Sequence, residues 1–311
     1  MTKRSKKFKK IRRKIRYPLI FGLIRFMIFI SRLFPRKTWL ALCGFLGGMA
    51  YHFANRSRKL ATTHLNMAYG KEKSDAEIKA IAKQVFVMMG KNAGDIIRAF
   101  TVHTLADFDK IRVVHGAEIA ERAFAKGKGV IFLTAHFGAF EFVATELAFR
   151  GYKPLIIGTP MKDERLTNLL WEQRNKMGAS AIERGKETVR LIKTLKSGGT
   201  IAILIDQDTR VKSVFVDFFG MPCATPIGAT LLALKTGAAI VPIFYHLRED
   251  GMQEANFYPE VELTITGEEE TDMRVNTQRL NDVIETEIRK HPAQWLWLHE
   301  RWKTKPGEEI Q

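Results

Sequence analysis

Hydrophobic positions divide the chain near residue 130. Before it, apolar residues come in long blocks and at helical spacings; after it, compact apolar runs alternate with amphipathic stretches. Tyr17 to Phe34 (YPLIFGLIRFMIFISRLF) is apolar and aromatic apart from Arg25, Ser31 and Arg32. A second apolar block, Trp39 to Phe53, follows Pro35. Helices are expected over about 56–68 and from the capping box Ser74-Asp-Ala-Glu77 to about Phe100, where side chain and backbone satisfy each other's free groups. A short helix is expected over 118–126.

Beyond that point Val130–Thr134 reads as a buried strand, and further strands are expected at 154–157, 200–205 and 239–246. An alternating run at 261–266 reads as an edge strand. Helices are expected over 140–149, 164–177, 188–195, 227–236 and 274–290, the last stopped by Pro292. Strands alternating with helices predict an α/β fold, a mostly parallel central sheet flanked by helices, preceded by a membrane-associated helical segment. The expected organisation is a basic cytoplasmic tail over 1–16, a membrane-anchoring helical segment over 17–53 and a catalytic domain over 54–311.

Charge sharpens the picture. The 311 residues carry 50 Lys plus Arg against 33 Asp plus Glu, a net charge of +17, which calls for anionic partners. Ten of the basic residues fall between Lys3 and Arg16, with no acid among them. Such a tail alone fits nucleic acid. The apolar block directly after it turns the reading towards an anionic membrane surface. The first block is short for a spanning helix and has Arg25 near its middle, so it is expected to lie in or dip into the interface, with arginines reaching to headgroups. Cys43 and Cys223 are far apart and show neither metal-ligand nor redox spacing; a reducing compartment is expected.

The candidate chemistry sits at Thr134-Ala-His136-Phe-Gly-Ala-Phe-Glu141, where a histidine follows a strand end and a carboxylate comes five residues later. In a continuous helix that spacing rotates about 500°, so the two meet only if His136 sits on a turn, which Gly138 permits. Glu141 is then expected to fix the imidazole tautomer and leave its other nitrogen as a base for a substrate hydroxyl. Asp206 and Asp208 follow a strand, where functional groups gather in α/β sheets, and are expected to anchor loops or orient an arginine. Arg174 offers a planar fork for a phosphate or an oxyanion. Phe215, Phe218 and Phe219 fit an acyl channel or ordinary core. Trp295, Trp297 and Trp302 fit a membrane interface or the domain's packing. Lys186, Arg190 and Lys193 are expected on one helix face, either solvated or able to dock an acidic carrier protein.

TAHFGAFE resembles the histidine-x4-acid block of the glycerolipid and lipid A acyltransferase superfamily. The rest resembles its late lipid A branch, which adds lauroyl or myristoyl groups. The shared blocks are Asn55 to Leu60 with His64 to Asn66, the arginines Arg165 and Arg174, Ile203 to Asp208, Val216 to Gly220 with Ala224 to Pro226, and Pro292 to Trp302 (PAQWLWLHERW). They run in order from the apolar segment to Trp302. Ala135 stands where some members carry asparagine, and the phosphate block of glycerol-phosphate acyltransferases is missing. His136 and Glu141 are the expected catalytic residues, and Arg165, Arg174, Asp206 and Asp208 are expected in substrate binding; no complete metal-ligand set is found, and no metal or cofactor is expected. The resemblance further implies an acyl carrier protein as donor, a Kdo-bearing phosphorylated lipid A precursor as acceptor, no nucleic acid, and a place at the cytoplasmic face of the bacterial inner membrane. The same dyad would serve a lysophospholipid, glycolipid or aminolipid acceptor. A non-catalytic membrane- or nucleic-acid-binding protein is the alternative outside enzymes.

Overall fold

The structure is a computed structural model; it describes residues 3–308, and the side chains of residues 3–15 and of Lys176 are outside the description. Four long helices come first: α1 (Lys3–Ser31), α2 (Arg36–Phe53), α3 (Asn55–Tyr69) and α4 (Asp75–Arg98). The backbone of the basic stretch is therefore helical from Lys3 and runs without a break into the first apolar block. No described helix is long and apolar enough to cross a membrane. The capping box forms: the Ser74 N–H donates to Glu77 Oε2 at 2.8 Å, and the Glu77 N–H returns to Ser74 Oγ at 3.4 Å.

Glycine decides how α2 meets α4. A Cβ on Gly47 would lie 2.2 Å from the Phe86 carbonyl, and one on Gly90 2.2 Å from that of Cys43. Only hydrogen at both positions lets the backbones touch. Beside this crossing the Trp39 indole donates to the Gly94 carbonyl, and Arg36 clamps Asp95 through two nitrogens at 2.8 and 2.6 Å.

The α/β part contains α5 (Leu105–Asp109), β1 (Arg112–His115), α6 (Ala117–Ala125), β2 (Val130–Thr134), α7 (Phe142–Phe149), β3 (Leu155–Gly158), α8 (Glu164–Lys176), β4 (Ser180–Glu183), α9 (Thr188–Lys196), β5 (Thr200–Leu204), β6 (Ser213–Phe218), β7 (Met221–Pro226), α10 (Gly228–Thr236), β8 (Ala239–Leu247), β9 (Gln253–Phe257) and α11 (Glu269–Lys290). The main sheet runs β1-β9-β8-β2-β5-β3-β4, parallel throughout except where β8 meets β9. β6 and β7 form a separate antiparallel hairpin. The expected α/β fold with a mostly parallel sheet is what is found. β2, at the middle of the sheet, is buried along its whole length, as its unbroken VIFLT run requires.

The expected edge strand at 261–266 does not form. Val261 still donates to Ile240 O, but side chains of α11 then satisfy the backbone. Asn276 brackets Thr264 with one hydrogen bond in each direction, and Asp272 accepts from the Thr266 and Gly267 N–H groups. α11 starts at Glu269, five residues before its expected start. Lys186 lies before α9 rather than on it, paired with Glu183, so the expected three-residue basic face does not exist.

Replacing Gly47 by leucine should cost about 1–3 kcal/mol through forced separation of α2 and α4. The check is a chemical denaturation midpoint: Gly48→Leu, whose Cβ would meet only Val87 at ordinary contact distance, should change it far less.

Candidate active site

β2 and β5 are neighbours in parallel register, with Thr134 opposite Leu204. Two residues further along both strands, beyond their last ladder pair, stand His136 and Asp206. The register thus brings together two groups 70 positions apart. Asp206 Oδ1 lies 2.9 Å from His136 Nδ1, while Oδ2 accepts from the His136 backbone N–H at 2.9 Å and the Trp295 indole N–H at 2.8 Å. The Asp206 side chain is buried, whereas the imidazole keeps 21% of its surface. Burial would raise the Asp206 carboxyl, but the facing imidazole and the three N–H donors outweigh it and hold the group down at about 2. A carboxylate on Nδ1 calls for the tautomer with Nδ1–H, which leaves Nε2 free to accept a proton.

The loop carrying His136 is pinned from below. Leu296 N–H donates to the His136 carbonyl at 3.1 Å, Gly138 N–H donates to Gln294 O at 2.8 Å, and Phe137 forms an antiparallel bridge with Trp295. Gln294 is itself fixed by Asn92 of α4 and by the Leu247 carbonyl. Gly138 has φ +55°, and a Cβ there would sit 1.9 Å from the Tyr245 carbonyl, so the turn admits glycine alone.

The expectation that Glu141 orients the imidazole is corrected: the ring's partner is Asp206. Glu141 stands just before α7, which starts six residues after His136, and its carboxylate is taken by Arg174. The guanidinium of Arg174 meets it through Nε at 3.1 Å and Nη2 at 2.7 Å, with both side chains largely buried. This fork-to-carboxylate pair ties α8 to the entrance of α7. Gly158, at the end of β3, makes room for it, since a Cβ there would lie 3.2 Å from Arg174 Nη1. Arg174 is therefore already neutralised, in contrast to the free phosphate or oxyanion ligand expected of it.

Asp208 anchors a loop, accepting from the Thr304 N–H at 2.7 Å and hydroxyl at 3.0 Å. Arg165 is half-exposed, pairs with Asp163 at 2.6 Å, and lays its guanidinium over the Phe21 ring of α1. Phe218 and Phe219 are buried against Trp295, Trp302, Tyr69 and Trp297, so they are core rather than channel wall. Trp295, Trp297 and Trp302 are packed inside the domain, away from any membrane interface. Arg301, fully buried, bonds the Ala224 carbonyl, Thr225 Oγ1 and Asn281 Oδ1, and so joins the last block of sequence to β7 and α11.

Sequence reasoning missed the partnership of His136 with Asp206 and the role of Trp295. The signal was present: VIFLT-A-His136 and TIAIL-I-Asp206 end alike, two residues after a buried strand. Arg184, just past β4 at the same end of the sheet, is half-buried and without an acid partner among the described residues; burial pushes its guanidinium below its ordinary range.

Because Asp206 is depressed in the folded state, its contribution to stability is fully present above the unfolded value near 3.8 and is lost as pH falls towards about 2. The difference in melting temperature between wild type and Asp206→Asn should accordingly be flat above about pH 5 and shrink only below about pH 4. Thermal melts at stepped pH measure this directly.

The bacterial lipid A biosynthesis acyltransferase family matches residues 5–304. The chain is 28% identical over 198 residues to the phosphatidylinositol mannoside acyltransferase of Mycobacterium tuberculosis (strain CDC 1551 / Oshkosh). That match covers 61% of this chain and spans 60% of the length of the mycobacterial protein. It is 25% identical to a lipid A biosynthesis acyltransferase of Haemophilus influenzae, covering 92% of this chain and 88% of that protein. It is 28% identical to the lipid A biosynthesis lauroyltransferase of Escherichia coli K12, covering 85% and 84%. With the matched region running from the first helix through the segment that carries Trp295, this chain belongs to the bacterial lipid A biosynthesis acyltransferase family.

Proposed function

We propose that the chain transfers a fatty acyl group from an acyl carrier protein to a hydroxyl of a phosphorylated lipid, with a Kdo-bearing lipid A precursor as the acceptor. The observation that carries this reading is the His136–Asp206 pair: an imidazole anchored at Nδ1, with a part-exposed ring, at the mouth of a parallel sheet. No serine or cysteine nucleophile is needed. His136 Nε2 takes the proton of the acceptor hydroxyl as its oxygen bonds to the thioester carbonyl carbon. The C–S bond then breaks, and the proton passes to the leaving carrier thiolate. Asp206 stabilises the imidazolium that exists between the two transfers. Glu141 acts through Arg174, bracing the loop that holds His136. Arg184 is assigned to an acceptor phosphate, because a half-buried guanidinium without an acid partner among the described residues suits an anion.

Membrane association follows from the first two helices. Leu19, Leu23, Phe26, Phe29 and Leu33 of α1 and its end, and Phe45, Leu46 and Phe53 of α2, are all exposed. A surface this apolar beside a basic stretch suits a helix pair lying in the interface of an anionic bilayer. We place it at the cytoplasmic face of a bacterial inner membrane.

A second reading has a specific basis. The mycobacterial relatives are named for a mannosylated phosphatidylinositol acceptor and match at similar identity. A glycolipid acceptor of that class would use the same imidazole and the same free guanidinium.

Purified protein given acyl carrier donor and either a tetraacyl lipid A precursor or a phosphatidylinositol mannoside, with products read by mass spectrometry, decides between them. His136→Ala should remove product, and Asp206→Asn should lower kcat by roughly 10²–10⁴-fold. Undiminished product from His136→Ala would reject the mechanism. Arg184→Ala should raise KM for the phosphorylated acceptor while leaving KM for the acyl donor unchanged. Glu141→Gln should reduce activity, and His136 should keep its hydrogen bond to Asp206, visible as a downfield imidazole N–H resonance.

A further inference from the structure

We propose that His246, Glu287 and His291 form a divalent-cation site of the zinc class, behind the candidate active site and separate from its chemistry. His246 lies near the end of β8, Glu287 in the last turn of α11 and His291 directly after that helix. One ligand-capable atom from each falls within 4.8 Å of the other two. The two imidazoles are stacked, with centroids 4.0 Å apart and planes 20° from parallel.

The second observation is unsatisfied polarity inside this cluster. His246 and Glu287 are 6% and 2% exposed, and His246 Nδ1 and Glu287 Oε1 have no hydrogen-bond partner. A buried carboxylate oxygen without a donor is expensive to keep. Its sister atom Oε2 is well supplied, by the Tyr258 hydroxyl and by Lys290 Nζ at 3.3 Å. Oε1 is thus the oxygen of this carboxylate left without a donor. Around it, Glu254 Oε1 stands 3.9 Å from His246 Nε2, and Arg248 engages Glu254 from the solvent side.

Two neutral imidazoles and one carboxylate make an N2O donor set with one negative charge, which suits zinc better than calcium or magnesium. Tetrahedral zinc with ligands at about 2.0–2.2 Å needs ligand atoms about 3.3–3.6 Å apart. The cluster must close by roughly 1.3 Å at its widest, from 4.8 Å, and the stacked rings must tilt to aim their lone pairs at one point. His291 is half-buried and leaves the fourth position to water. The bound ion would join β8 to α11 immediately ahead of the segment whose Gln294 and Trp295 hold the His136 loop. The Phe137 ring already lies 6.4 Å from that of His291.

The test uses tag-free, full-length protein in detergent, stripped with a chelator and titrated with Zn²⁺ alone against a chromophoric competitor. Bound zinc is counted by elemental mass spectrometry. Wild type should hold one equivalent, and His291→Ala and His246→Gln should hold none at the same free zinc. His52→Ala, at an exposed histidine outside the cluster, should keep it. Cobalt(II) should give the visible absorption of a four-coordinate site in wild type and lose it in His291→Ala. Should His246→Gln fail to fold, the half-buried His291 carries the comparison, with its fold checked by circular dichroism before metal is added. Less than one equivalent in wild type, or undiminished binding by His291→Ala, would overturn the assignment.

Discussion

One buried carboxylate organises this protein's candidate site. Asp206 collects the backbone N–H of His136, its ring nitrogen and the indole N–H of Trp295, and in doing so joins two adjacent strands to the last stretch of chain. A charge out of water is tolerated only when its lone pairs are met by donors. Here those donors are the very groups whose placement matters. The constraint runs both ways: the imidazole cannot turn without stranding the carboxylate, and Trp295 cannot leave without exposing it.

Everything around this pair limits motion. The His136 loop passes so close to β8 that Gly138 has no room for a side chain, and Gln294 carries the restraint on to α4 and the end of β8. The Glu141–Arg174 pair fixes the far side of the same loop to α8. Such stiffness suits the base proposed for His136, because misplacement of the order of 1 Å is costly to proton transfer. The aromatic segment 292–302 is the underside of this arrangement. Its tryptophans are buried in the core, and Arg301, fully buried, takes three acceptors.

The N-terminal helices follow a different logic. α2 and α4 are joined by a glycine contact and by the Arg36–Asp95 fork, so α2 is rigidly mounted although its outer face is apolar and exposed. This packing joins the inner side of α2 to α4 and leaves the apolar outer side open.

Much of the architecture was written in local pattern. Unbroken apolar runs marked the central strands, the capping box set the start of α4, and the position of His136 after a strand marked the edge that carries the candidate site. The sequence also held the ordered blocks that point to the family. Local pattern failed wherever a distant side chain replaced a backbone partner, as Asn276 and Asp272 do along 261–266. It also assigned His136 to the nearest acid along the chain. Which carboxylate meets the ring depends on β2 lying beside β5 with Thr134 opposite Leu204, and strand order is a property of the assembled sheet. Glu141 is kept from the ring for the same reason: helix α8, which follows β3, carries Arg174 to its carboxylate. Spacing along a chain reports which groups are near in sequence; only the packed sheet determines which ones share a hydrogen bond.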